Sequence, residues 1–292
     1  MKKWAGLLLT LVLAFSITAC GSKEKEGNTT AANGNKTENT SKSENKSEDN
    51  VAIPTLDELI KQAKDAKELN SYAMEIASKQ NIKMEQGEEK QEQNMNLTMK
   101  AEYVGDPVQM HLVTSIDEEV KKQDIEQYIT KDGMYMLVNG QWMHTQDASV
   151  DEVLNSTEGN ADVSQQLEQF KSIGDQTKIT AEGDNYVINA DVSGDKIKEL
   201  AKEVMTKNAG AGANGAQVSQ MLDMMNITEM KMTTTVQKDT LYPVSSKVKL
   251  VMDMEQEGQK VAMDMDMDIS FSKHNEITEI KVPQEALDSA TK

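Results

Sequence analysis

The chain contains no Arg: all 31 basic residues are Lys, set against 49 acidic residues for a formal charge of -18. Without the bidentate guanidinium fork that reads guanine edges and clamps phosphate, and with so acidic a balance, a nucleic-acid partner is excluded. A single Cys rules out a disulfide framework and any Cys-based zinc site. Only three His are present, His111, His144 and His274, and each stands alone with no acid or nucleophile in sequence reach. No general acid and base pair can be named, no metal site is legible and no cofactor is called for, so the chain is read as non-enzymatic. Aromatic residues make up 4% of the sequence, so an apolar interior must be built from something else.

What is present begins with an address. Lys2 and Lys3 precede an apolar run from Trp4 to Ile17, too short to span a bilayer comfortably and flanked as a secretory signal is, which makes residues 1–19 a signal peptide. The run closes on Ile17-Thr18-Ala19-Cys20-Gly21, which resembles the bacterial lipobox, with Ile17 and Thr18 as mild departures from its commoner residues. That resemblance implies cleavage before Cys20 and a diacylglyceryl group on its sulfur, hence a membrane partner through the anchor. Two acyl chains suffice for stable anchoring where one gives marginal binding. The expected location is the extracytoplasmic face of the cell membrane of a Gram-positive bacterium.

Residues 20–50 follow as a lipidated Cys and a polar tether of Gly, Ser, Thr, Asn, Lys, Glu and Ala, which cannot bury enough apolar surface to fold. As a flexible coil its reach is roughly 30 Å. Residues 51–292, expected to form a single domain, carry 24 Lys against 43 acidic residues. A domain that acidic is repelled by anionic headgroups, so the anchor and not the protein surface must hold it to the membrane.

Within that domain, Thr55 and Glu58 form a capping box before an apolar stripe at helical spacing, predicting a helix that ends near Asn70. The pattern then changes to period two. Tyr72 to Met84, Met95 to Tyr103 and Val108 to Leu112 read as long strands around turns at Gly87 and at Gly105-Asp106-Pro107. Asp132-Gly133 and Asn139-Gly140 predict type I′ hairpin turns bracketing Met134 to Val138. A second capping box (Ser149, Glu152), a helical segment with Val163, Leu167 and Phe170, a hairpin at residues 182–185, a helix through Ile197 and Val204, and a loose stretch from Ala209 to Ala216 follow. A short helix with Met221, Leu222 and Met225 leads to strands at residues 230–236, 248–254, 261–271 and 277–282. Met84-Glu85-Gln86 and Met254-Glu255-Gln256 close two long strands at matching places; duplicated hairpins and a chance match of alternating strands are both open readings. About 11 or 12 strands and 4 helices result, an α+β chain with a large antiparallel sheet.

The lipobox, the polar tether, a helix ahead of long antiparallel strands, helices in mid-chain and the closing Ile280-Lys281-Val282-Pro283-Gln284-Glu285-Ala286 together resemble the Gram-positive lipoproteins related to the mycobacterial LppX-type lipoproteins and the LolA/LolB lipoprotein carriers. The resemblance covers residues 54–288. It implies a curved half-barrel of about 11 strands with helices covering the concave face, and an apolar or lipid ligand carried there.

The residues add their own signal, since nineteen of the 20 Met lie in residues 51–292. Met74, Met84, Met95, Met99, Met110, Met134, Met136, Met232, Met252, Met254, Met263, Met265 and Met267 fall on the apolar phase of the strands, as does Met230, and the first thirteen are the expected ligand-binding residues. Unbranched, polarisable Met suits a surface that re-packs around varied apolar ligands better than a fixed jigsaw core. The other reading is a closed Met-rich core in a non-catalytic module that binds a protein or cell-wall partner, of unknown identity, through its acidic surface. Met263, Met265 and Met267 could suggest Cu(I), but same-face neighbours on a strand lie about 6.8 Å apart and no His or Cys accompanies them. Asp264, Asp266 and Asp268, on the opposite phase, lack the turn of a Ca²⁺ loop and read as a solvated edge balanced in part by Lys247 and Lys249.

Overall fold

A computed structural model of the chain describes residues 53–118, 121–146, 150, 153–154, 163–192, 196–197, 225–256 and 258–289. The signal peptide, Cys20, the tether and the residue 51 boundary lie outside the described residues. So do Ser149, Glu152, Leu200, Ala201, Val204, the Ala209–Ala216 stretch, Met221 and Leu222.

Thr55 opens helix α1 (Leu56–Asp65) with the expected reciprocal box: its hydroxyl accepts the Glu58 N–H at 3.3 Å, while its own N–H donates to Glu58 Oε2 at 2.8 Å. The helix stops at Ala66, which is extended (φ -73°, ψ 161°), earlier than the expected Asn70. Tertiary partners claim the next residues. Leu69 is buried, the Asn70 N–H donates to Asn275 Oδ1 at 2.6 Å, and the Asn70 carbonyl accepts the Gly105 N–H at 2.8 Å.

Eleven strands follow: β1 (Ser71–Gln86), β2 (Glu89–Gly105), β3 (Val108–Glu118), β4 (Lys121–Thr130), β5 (Gly133–Val138), β6 (Gln141–Thr145), β7 (Thr177–Glu182), β8 (Asn185–Val192), β9 (Met225–Gln237), β10 (Pro243–Gln256) and β11 (Gln259–Ser272). They form one sheet in the order β6-β5-β4-β3-β2-β1-β11-β10-β9-β8-β7, with antiparallel pairing throughout. The chain starts in the middle of the sheet, walks outward to β6, re-enters at the far edge β7 and walks back until β11 closes on β1. The sheet is large, open and curved. Its longest strands are central, and its edge strands β6 and β7 are short, which limits the unpaired backbone offered to other chains.

One local expectation holds and several are corrected. The Asn139-Gly140 turn has positive φ at both residues (52° and 77°), as a type I′ turn requires. Asp132-Gly133 does not form that turn: Lys131 and Asp132 make the loop, and Gly133 is the first residue of β5, where it pairs with Thr130. Gly133 is needed there for space, because a Cβ would sit 2.8 Å from the Thr145 carbonyl oxygen. Strand β4, whose sequence is mostly polar, has no counterpart in the pattern reading. Met225 begins β9 and is not helical. Residues 277–282 are not a strand; they run over the outer face, where Ile280 and Ala286 of helix α3 (Gln284–Ser289) pack with Val104, Tyr128 and Tyr135.

Two apolar clusters occupy the inner face. One joins α1, helix α2 (Val163–Glu168) and the 3₁₀ turns of Gln169–Gln176 to β8 and β9, with Leu59, Leu167, Ile173, Ile188, Val192 and Val236 nearly or fully inaccessible. The other covers the central strands and includes Val150, Val153 and Leu154.

Candidate functional site on the inner face

Cross-strand register puts all thirteen predicted Met on this inner face. Along β11, Met263, Met265 and Met267 stand opposite Ile82, Gln80 and Ser78 of β1 on one side and Met252, Leu250 and Val248 of β10 on the other. On β2, Met95 and Met99 face Gln80 and Ile76. Met84 and Met254 flank Val261 from either side, Met74 lies between Ala101 and Phe271, and Met232 lies between Ala190 and Val248. Met110 pairs with Tyr103 and Ile129, Met134 with Ile129, and Met136 with Gln127. Burial grades outward from the middle. Met95, Met99, Met110, Met252, Met263, Met265 and Met267 are buried, whereas Met74, Met84, Met134, Met136, Met232 and Met254 are half-buried. Met143, not singled out by sequence, shares the face near the β6 edge and is 48% exposed.

A β-bulge completes the face. Glu229 pairs with Val251 while Ile227 pairs with Met252, so Thr228 is the extra residue, and its hydroxyl donates to the Val251 carbonyl at 3.2 Å. The phase of β9 shifts there, which is why Met225 and Ile227 share a face with Met230 and Met232 despite their odd and even numbers.

At one end of β1, Tyr72 packs on Tyr103 and Phe271, with ring centroids 5.2 and 5.9 Å apart. Burial, reinforced by Tyr103, holds the Tyr72 phenol above its ordinary pKa of 10.0. The same strand brings two polar side chains into the apolar rows. Ser78 and Gln80 are 2% and 3% exposed, and Gln80 Nε2 donates to Ser78 Oγ at 3.3 Å. Among the described residues, Gln80 Oε1 has no hydrogen-bond partner. Farther out, Gln127 Nε2 donates to the Met136 sulfur at 3.5 Å. Pattern reading missed Ser78 and Gln80 because it followed apolar residues; their even numbers, in phase with Ile76 and Ile82, are the signal that could have found them. No charged residue occupies the inward phase of β1 from Tyr72 to Gln86, of β2 from Gln91 to Tyr103 or of β11 from Gln259 to Phe271.

The opposite face carries the charge. Asp264, Asp266 and Asp268 are exposed, as expected. Lys247 reaches Asp268 at 3.4 Å, but Lys249 turns to Glu229 at 3.7 Å, so the expected balance holds for one of the two. His111 has the acid that sequence proximity did not show: its Nε2 lies 2.9 Å from Glu126 Oε1 across the β3–β4 pairing, with the ring stacked on Tyr128 at 4.2 Å. A depression of about 620 Å³ lies elsewhere again, lined by polar turn residues including Asp184, Gln237 and Lys238, and shares no residue with the Met face.

These features define a class: an open, curved, wholly antiparallel sheet of 11 strands whose inner face is apolar, Met-rich and partly covered by helices. Residues 55–291 match the DUF6612 family, a family of unknown function, and the chain belongs to it. Among solved structures the chain is similar to LprF from Mycobacterium bovis, at 10% identity over 79% of this chain and 95% of that one, with a TM-score of 0.34. It is also similar to a domain assigned to outer membrane lipoprotein sorting from Vibrio parahaemolyticus (10% identity, 81% and 96% coverage, TM-score 0.22). A DUF1329 family protein from Desulfovibrio piger matches at 11% identity over 72% and 88%, with a TM-score of 0.21. Comparison with curated proteins finds no match. Among the described residues, no helix is long and apolar enough to cross a membrane.

Proposed function

We propose that this protein is a non-catalytic lipoprotein, anchored on the extracytoplasmic side of the membrane by a diacylglyceryl group on Cys20, that takes up a lipid or other apolar molecule against its Met-lined inner face. The observation that supports this reading is the concentration of flexible thioether side chains on the face that the helices partly cover, free of charged residues through its central strands. Met side chains re-pack at low cost, so a face that is closed in one state can admit a chain in another. The competing reading, a closed core in a module that binds through its acidic outer face, draws on the burial of the central Met.

Met265→Asp separates the two. In a permanently closed core the buried, unpaired carboxylate unfolds the domain. On a face that opens to solvent, the variant hydrates, stays folded and loses uptake of the apolar fluorescent probe N-phenyl-1-naphthylamine. Wild type that binds no probe, together with a Met265→Asp variant that fails to fold, favours the closed core. The anchor is tested separately: Cys20→Ser gives uncut or released protein in membrane fractionation, and normal processing with full membrane retention refutes the anchor.

A further inference from the structure

We infer that Gln80, backed by Ser78, is a recognition point for the head of an uncharged amphiphile, a molecule with an apolar chain and a hydrogen-bond donor such as a hydroxyl. This inference rests on the ligand-binding reading above and specifies its ligand. Gln80 lies at the centre of the sheet, on the strand that joins its two halves, between Met95 of β2 and Met265 of β11. It is 3% exposed, and one end of its amide is spent on Ser78 Oγ while Oε1 has no partner among the described residues. Turning the amide over does not remove the deficit. Ser78 then donates to Oε1, and the two N–H donors of Nε2 are left over.

A sheet built only to pack would place an apolar residue here, as it does at Ile76 and Ile82 on the same strand and phase. A buried amide lacking a partner is costly, and a bound molecule that supplies the missing hydrogen bond recovers that cost. The rest of the surroundings define the head further. With no cation on the inward phase of β1, β2 or β11, a carboxylate or phosphate head would be buried unpaired and is disfavoured. A neutral donor fits, and the neighbouring Met95, Met265 and Met267 supply adaptable apolar contact for the chain.

The test uses full-chain protein and displacement of N-phenyl-1-naphthylamine by two chain-matched competitors, 1-dodecanol and dodecyl methyl ether, in which an O-methyl group replaces the alcohol's O–H donor. Wild type is expected to bind the alcohol about ten-fold more tightly than the ether. In Gln80→Met, which continues the surrounding chemistry, the probe still binds and the preference is lost; Gln80→Leu is the second variant if Met packs poorly. Equal affinity of wild type for alcohol and ether, or a preference that survives in Gln80→Met, overturns the inference while leaving probe binding and the broader reading intact. Failure of wild type to bind the probe or either competitor overturns both.

Discussion

The two inner-face clusters of this sheet are built from different side chains. Under α1 and α2 the contacts come from Leu59, Leu167, Ile173, Ile188, Val192 and Val236, all at 0–1% exposure. Over β1, β2, β10 and β11 they come largely from Met, at 4–9% among the buried ones, grading into half-buried Met toward the ends. Branched side chains have few rotamers and lock one arrangement, whereas the three rotatable bonds of Met fill whatever space is offered. On the ligand-binding reading proposed above, the first cluster is the fixed shoulder of the domain and the second is the part whose packing changes without loss of the sheet. Continuous backbone pairing through β1 and β11 is what allows the latter: the strands are held by hydrogen bonds on both sides, whatever their side chains do.

The contrast can be broken at its rigid end first. Ile188→Ala removes a fully buried branched side chain from the shoulder and should cost about 2–5 kcal/mol of stability in urea unfolding. A loss below about 1 kcal/mol would show that this cluster too can collapse around a cavity. Met265→Leu, at the adaptable end, should cost less than about 1.5 kcal/mol, because shape changes of nearly equal volume are tolerated where neighbours are flexible. If the two substitutions cost the same, the distinction between the clusters fails.

A smaller effect sharpens the comparison at the entry to α1, the helix that covers the rigid cluster. The Thr55 N–H, and then its hydroxyl, hold the Glu58 carboxyl below its ordinary pKa of 4.5. A carboxyl lowered in the folded state contributes stability above its unfolded value, and that contribution fades as pH falls through the folded value. Thermal melts should therefore show wild type losing stability relative to Glu58→Gln only below about pH 4.5, with the two parallel at neutral pH. A difference that grows toward alkaline pH would contradict the sign.

Much of this architecture was legible in the residues. Alternation from Tyr72 to Met84, interrupted only at Ser78 and Gln80, and from Val261 to Phe271 identifies long half-buried strands, since only period two keeps one face apolar. The capping box at Thr55 and the Asn139-Gly140 turn were readable because each depends on residues within four positions of one another. The thirteen Met were assignable to one face by parity within each strand. What failed was mostly non-local. Strand β4 is mostly polar and is recognised only by the β3 and β5 it joins, and the C-terminal stretch 277–282 has strand-like residues whose backbone finds side-chain partners in place of a ladder, the Ile277 N–H donating to Ser71 Oγ and the Ile280 N–H to Gln109 Oε1. The acid beside His111 sits 15 residues away in sequence and 2.9 Å away in space.

By itself, then, the sequence determined the strand phases, the local turns and caps, the segregation of Met from charge and the lack of Arg that removes phosphate-clamping chemistry, because these follow from short-range periodicity and side-chain type. Only the tertiary structure decided that β1 and β11 meet in the middle of one sheet, that the bulge at Thr228 brings Met225 and Met230 to the same face, and that Gln80 is enclosed by Met from two other strands with half its amide unsatisfied. Those outcomes depend on which distant strands share a register, and the free energy of such pairings belongs to both partners at once, so no single stretch of the chain encodes it.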